Sequence, residues 1–181
     1  VLNDPAKAGS ERATEYYTNA NTKFREKLAA RADVYANASV IEVDPKAPVF
    51  GEPGSADVVL TFRNVHNWVG AGSEAAMFKG FFDVLAPGGV LGVVEHRAAA
   101  GKTLAEVKTS GYLPEDYVIG LAEAAGFVLE EKSEINANPA DTKDHPNGVW
   151  TLPPGNRHDE ADKAKYAAIG ESDRMTLRFV K

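Results

Sequence analysis

Residues 56–97, ADVVLTFRNVHNWVGAGSEAAMFKGFFDVLAPGGVLGVVEHR, decide the fold. Asp57-Val58-Val59-Leu60-Thr61-Phe62 is a β-rich run almost free of polar interruption, the pattern of a strand buried on both faces. A loop with His66-Asn67-Trp68 follows. Ser73 is placed to cap a helix with Glu74 in its first turn. Met77, Phe78, Phe81, Phe82 and Leu85 then share one helical face. Pro87-Gly88-Gly89 stops that helix, and Val90-Leu91-Gly92-Val93-Val94 is a second buried strand. Strand, helix and strand in this order predict a right-handed βαβ unit, hence an α/β fold with a parallel sheet.

Ligands of open α/β sheets lie at the carboxyl ends of the strands. There the first strand runs into Arg63-Asn64-Val65-His66-Asn67-Trp68 and the second into Glu95-His96-Arg97. Any site is expected at this rim.

Toward the C-terminus, residues 98–111 are small and polar and predict an irregular crossing. Pro114-Glu115-Asp116 opens a helix, with Tyr117, Val118, Leu121 and Ala125 inward and Gly126 as its C′ residue. Phe127 leads a strand to about Ile135. Residues 136–174 are the loosest stretch, a long insertion or lid between the last two strands. Met175 to Val180 alternates and closes the chain as a strand.

Toward the N-terminus, Val1-Leu2 reads as the tail of a strand ending at Asn3-Asp4-Pro5. A helix from Ser10 or Thr14 to about Arg31 packs through Tyr17, Asn21, Phe24 and Leu28. Ser39 to Val43 is a short strand broken by Asp44-Pro45. The opening Val-Leu-Asn-Asp reads as the middle of a fold, so residues are expected before Val1 and any targeting signal lies outside view.

The 181 residues suit one domain, residues 1–181, with 44% hydrophobic and 25% charged residues. The net charge of −6, without a basic block, argues against a nucleic-acid partner bound through its backbone. No cysteine is present, which excludes disulfides and thiol chemistry in these residues. No apolar run approaches the ~20 residues of a membrane helix, so no membrane partner is expected. The expected partners are a small-molecule substrate and a second copy in a homodimer.

Taken together, these motifs resemble the second half of the Rossmann-like S-adenosylmethionine-dependent methyltransferases. The resemblance rests on Asp57-Val58-Val59-Leu60, the His66-Asn67-Trp68 segment, Leu85-Ala86-Pro87-Gly88-Gly89 before an apolar strand, and Ala125-Gly126-Phe127. More narrowly, the chain is similar to a bacterial group of uncharacterised predicted methyltransferases that share Trp150-Thr151-Leu152-Pro153-Pro154 and a closing Ser172-Asp173-Arg174 strand. The resemblance implies a mostly parallel sheet with an antiparallel C-terminal strand. It also implies that the family's first strand and Gly-rich cofactor loop would lie before Val1.

The resemblance implies S-adenosylmethionine as cofactor. Asp4 would meet its ribose hydroxyls and Asp44 its adenine amino group, while Phe62, Arg63 and Asn64 would flank its methionine part. Read from the residues alone, Asp4 and Asp44 are equally turn residues before proline, and Arg63 equally a surface ion pair. His66 is the candidate catalytic base for a hydroxyl acceptor, since an imidazole near neutrality suits that task. Its plain alternative is a histidine bonded to loop backbone. Trp68, His96 and Trp150 are the expected substrate contacts. His66, His96 and Glu95 suggest a two-His, one-carboxylate metal site, but neighbouring strand residues point to opposite faces, so no metal is expected. His145 and His158 are expected to face solvent. Gly70-Ala71-Gly72-Ser73 lacks the rest of a phosphate loop and reads as a flexible entry to a helix.

The function implied is methyl transfer to a small molecule, at oxygen. Two other classes stay open. One is a nicotinamide-dependent reductase, against which the antiparallel last strand speaks. The other is a non-catalytic binding or oligomerisation module of the same fold.

Overall fold

In the computed structural model, which describes residues 1–181, two sheets form. Strands β1 (Leu2–Asn3) and β2 (Glu42–Val43) pair in parallel. Between them in sequence lie α1 (Glu11–Ala29) and the short α2 (Ala32–Tyr35). The expected βαβ unit follows as β3 (Ala56–Phe62), α3 (Val65–Ala71), α4 (Glu74–Val84) and β4 (Leu85–His96). Then come α5 (Leu104–Val107), α6 (Glu115–Ala125), β5 (Val128–Ser133), α7 (Lys163–Ile169) and β6 (Arg174–Val180). The larger sheet has the order β3-β4-β6-β5. β3 is parallel to β4, and β6 runs antiparallel to both β4 and β5. This is the Rossmann-like methyltransferase arrangement, with its antiparallel C-terminal strand.

The helix ends follow local chemistry. Ser10 Oγ accepts the Ala13 N–H at 3.3 Å and starts α1. Gly126 ends α6 at a φ of 109°, a left-handed position that suits glycine. Lys181 Nζ donates to the carbonyls of Phe82 and Leu85 at 2.5 and 2.6 Å, placing a cation at the negative end of α4. One continuous core joins α3, α4 and α6 to one face of the sheet. It includes Val65, Phe78, Phe81, Leu91, Val93, Val118, Leu177 and Phe179. Along β4, Leu91, Val93 and Glu95 alternate onto this buried face.

Several expectations are corrected. β3 is not buried on both faces: Val58, Leu60 and Phe62 are 54%, 60% and 56% exposed, because the second face of this sheet is open. His66-Asn67-Trp68 lies on helix α3 and not in a loop. Val65 and Val69, four residues apart, bury that helix, and Gly72 ends it at a φ of 67°. Ser73 precedes α4, but its side chain makes no capping bond. α4 ends at Val84, and Pro87-Gly88-Gly89 belongs to an irregular start of β4, not to the helix stop. On α1 only Asn21 is buried, through a bond from Nδ2 to the Asn3 carbonyl at 2.9 Å, while Phe24 is exposed. The second strand is shorter than expected, covering Glu42–Val43 only.

Residues 136–174, between β5 and β6, are packed at several points. Asp141, Thr151, Leu152, Ser172 and Asp173 are buried, and Gly148–Thr151 forms a 3-10 turn. His145 and His158 do not face open solvent. His145 Nε2 lies 2.8 Å from Asp141 Oδ1, and the His158 ring packs on Tyr166. Gly148 is the tight point of the insertion. Its φ is 56°, and a Cβ there would stand 2.0 Å from the Ser110 carbonyl oxygen. Gly148→Ala is expected to destabilise by about 3 kcal/mol in urea unfolding, from the left-handed backbone plus the clash. Gly101→Ala, at a φ of 77° with nothing within 4 Å, is the control and should lose only about 1 kcal/mol. Equal losses in the two variants would show that the contact with Ser110 carries no weight.

Candidate functional site

The carboxyl end of β4 meets the first turn of α3. Glu95, on the buried face of β4, is fully enclosed and accepts three hydrogen bonds. The His66 backbone N–H donates to its Oε2 at 3.2 Å, and the His96 N–H to its Oε1 at 2.8 Å. The His66 ring Nδ1 lies 2.9 Å from Oε1. With Nδ1 as the donor to the carboxylate, Nε2 is the ring nitrogen left free of this contact. The pair therefore holds the imidazole in one tautomer and one orientation. The His66 side chain is 8% exposed.

His96 closes the other side. Its Nδ1 lies 2.5 Å from the hydroxyl of the buried Ser172. Burial pushes its pKa down to about 4, so the ring is neutral near pH 7. The two imidazoles stand 5.2 Å apart, centroid to centroid. Trp150 sets its edge against His66 at 6.0 Å, and Tyr112 against His96 at 6.4 Å. The Arg157 guanidinium lies 5.5 Å from the Trp150 ring centre. Strand alternation was expected to separate Glu95 from His96. Because His96 is the last residue of β4, both side chains reach His66, and one donor atom of each of the three lies within 4.8 Å of the others.

A second feature is a largely apolar cleft of about 550 Å³ between the β1–β2 pair and β3. Asn3, Val43, Asn64, Trp68 and Phe81 are among its lining residues. Asp4 and Asp44 follow two of them and stand side by side, the Asp4 N–H donating to the Val43 carbonyl at 2.9 Å. Each acid also behaves as the turn residue its proline suggested. Asp4 Oδ1 accepts the Ala6 N–H and Asp44 Oδ1 the Lys46 N–H, both at 2.9 Å. In each carboxylate Oδ2 has no protein partner.

The structure thus brings His66, His96 and Trp150 together in one cluster, and Asn64 and Trp68 onto the cleft. Trp68 turns to Phe81, with centroids 5.6 Å apart, on a different side of α3 from His66. Phe62 does not join the cleft wall; it lies on the open face of the sheet. Arg63 also lies outside that wall. It adopts a φ of 57° while its N–H holds the Val94 carbonyl at 2.8 Å. Glu95 as a positioning group, Ser172 and Tyr112 were missed as site residues. For Glu95 the signal was present: a carboxylate in phase with Leu91 and Val93.

No protein-family model matches the chain, and a search of curated proteins finds no match. Among solved structures, the chain is similar to a protein of Galdieria sulphuraria described as a sarcosine dimethylglycine methyltransferase. The two share 14% identity and a TM-score of 0.57, over 88% of this chain and 65% of that one. It is also similar to the 4+2 cyclase SpnF, with 15% identity and a TM-score of 0.54, over 86% of this chain and 60% of the other. The chain therefore spans 60% to 65% of the length of these two proteins. At such identities the likeness is one of fold, and a cyclase beside a methyltransferase illustrates that one fold hosts different chemistries. No helix is long and apolar enough to cross a membrane.

Proposed function

We propose that the protein transfers a methyl group from S-adenosylmethionine to an oxygen of a small-molecule acceptor, with His66 as the base. The observation that carries this reading is the 2.9 Å contact of His66 Nδ1 with Glu95, which leaves Nε2 ready to take a proton. The residues present fit the cofactor. Asp4 and Asp44 each keep a carboxylate oxygen suited to a diol or an amino group, beside an apolar cleft that includes Asn64 and Trp68. The cofactor supplies an electrophilic methyl group. This chain's own part is to hold the acceptor in line and remove its hydroxyl proton at His66 Nε2. Trp150, packed against His66, supplies an apolar wall for the acceptor.

Calorimetry of the full-length protein with S-adenosylmethionine should give a saturable heat. His66→Gln should leave that heat unchanged. Release of S-adenosylhomocysteine with a panel of hydroxylated acceptors should fall roughly 10²- to 10⁴-fold, the usual contribution of a general base. No heat at high cofactor concentration would remove the cofactor from the reading. A rise in melting temperature with a nicotinamide dinucleotide instead would move it to a reductase. Full turnover in His66→Gln would remove only the base.

A further inference from the structure

We infer that His66, Glu95 and His96 form a binding site for one divalent transition-metal ion of the zinc, cobalt or iron(II) type. The inference goes beyond methyl transfer and needs no cofactor; with an ion bound, His66 serves as a ligand and not as the proton acceptor of the reading above.

Two imidazoles and one carboxylate are a donor set for such ions, with nitrogen preferred over the all-oxygen shells of magnesium and calcium. One donor atom from each residue lies within 4.8 Å of the other two. Around an ion with ligand bonds of 2.0–2.2 Å, tetrahedral neighbours stand about 3.4 Å apart. To reach that spacing the donors would have to draw together, with the His66 ring turning from its present contact with Glu95 toward the ion. Both rings sit at element ends, His66 in the first turn of α3 and His96 at the end of β4.

The surroundings support ligation more than a chance meeting of side chains. The Glu95 carboxylate is anchored by the backbone N–H groups of His66 and His96, so its position does not depend on an ion. Ser172, itself 3% exposed, holds His96 Nδ1 and leaves His96 Nε2 without a protein partner. Outer contacts of this kind orient metal-binding histidines. Trp150 and Tyr112 wall the cluster with aromatic edges. With three protein ligands, an ion keeps a further position for water or a substrate oxygen. The remaining histidines, His145 and His158, lie apart on Asp141 and Tyr166.

The test is calorimetric titration of the chelator-treated full-length protein with Zn²⁺, repeated with Co²⁺ and visible absorption. One ion per chain is expected, with a dissociation constant in the micromolar range or below. His96→Gln and Glu95→Gln should each weaken binding at least a hundredfold. Ser172→Ala, which removes only an outer hydroxyl, should weaken it roughly tenfold. His158→Gln should leave it unchanged. Circular dichroism identifies any variant that fails to fold, and Ser172→Ala carries the test if the ligand variants do. The inference is overturned by a heat that does not saturate up to millimolar ion. It is equally overturned by affinity that stays at the parent value in Ser172→Ala and in every folded ligand variant.

Discussion

Glu95→Ala is expected to lower the unfolding free energy by about 4 kcal/mol and, if the proposed activity holds, to abolish it. The carboxylate is enclosed and accepts from the His66 N–H, the His66 ring and the His96 N–H. Alanine leaves two backbone donors and one ring donor without partners in a dry site. An unpaired buried donor costs about 1–3 kcal/mol, and the cavity adds to that. Glu95→Gln separates the two roles. Its amide oxygen still accepts, so stability should fall by only about 2 kcal/mol. With that oxygen at the Oε1 position its NH₂ group faces the His66 backbone N–H, which loses its acceptor, and the ring is held by a neutral amide in place of a carboxylate. If the proposed activity holds, turnover then drops at least a hundredfold while cofactor heat persists. Urea unfolding of Glu95→Ala within 1 kcal/mol of the parent would contradict the burial argument.

Asp173→Ala should destabilise by about 3–5 kcal/mol, the range for breaking a buried ion pair from one side. Asp173 precedes β6 and joins it to the insertion. Arg97 donates to both its oxygens at 3.1 and 3.0 Å, and Asn138 N–H to Oδ1 at 2.9 Å. Lys143 Nζ adds a contact of 2.8 Å, and the side chain is 5% exposed. Burial alone would raise its pKa, but the Arg97, Lys143 and Asn138 hydrogen bonds outweigh it and hold the group at about 2. The folded value lies below the unfolded one, so the stabilisation is complete above about pH 4 and lost as pH falls through about 2. It amounts to about 2 kcal/mol. Asp173→Ala should therefore show a flatter decline in stability between pH 4 and pH 2 than the parent. Parallel declines would show that other carboxylates carry the acid sensitivity.

Both residues show how far the chain alone can be read. Glu95 was placed at the rim with His66 and His96, but that it is buried and hydrogen-bonded to the His66 ring was not visible. Asp173 was noted only as part of the closing Ser172-Asp173-Arg174 segment, with no partner assigned. Its three donors come from residues 76, 35 and 30 positions away in sequence, beyond any local pattern. The helix of His66 was hidden for a local reason: Gly70 sits inside, and Gly72 directly after, a stretch of only seven helical residues, which periodicity reads as loop. The exposed face of β3 was hidden for a different one. An apolar strand pattern predicts burial but does not say which neighbour covers each face.

The sequence by itself determined the α/β class, the βαβ unit of residues 56–97, the antiparallel final strand through the resemblance, and the end of the sheet where His66, Glu95 and His96 meet. These follow from apolar periodicity, turn residues and strand polarity, all of which are local. Only the tertiary structure decided that Glu95 fixes His66, that Ser172 fixes His96, and that the insertion is packed rather than loose. Those outcomes depend on buried polar groups finding partners far along the chain. A desolvated carboxylate or imidazole must be satisfied by whatever donor the fold brings to it.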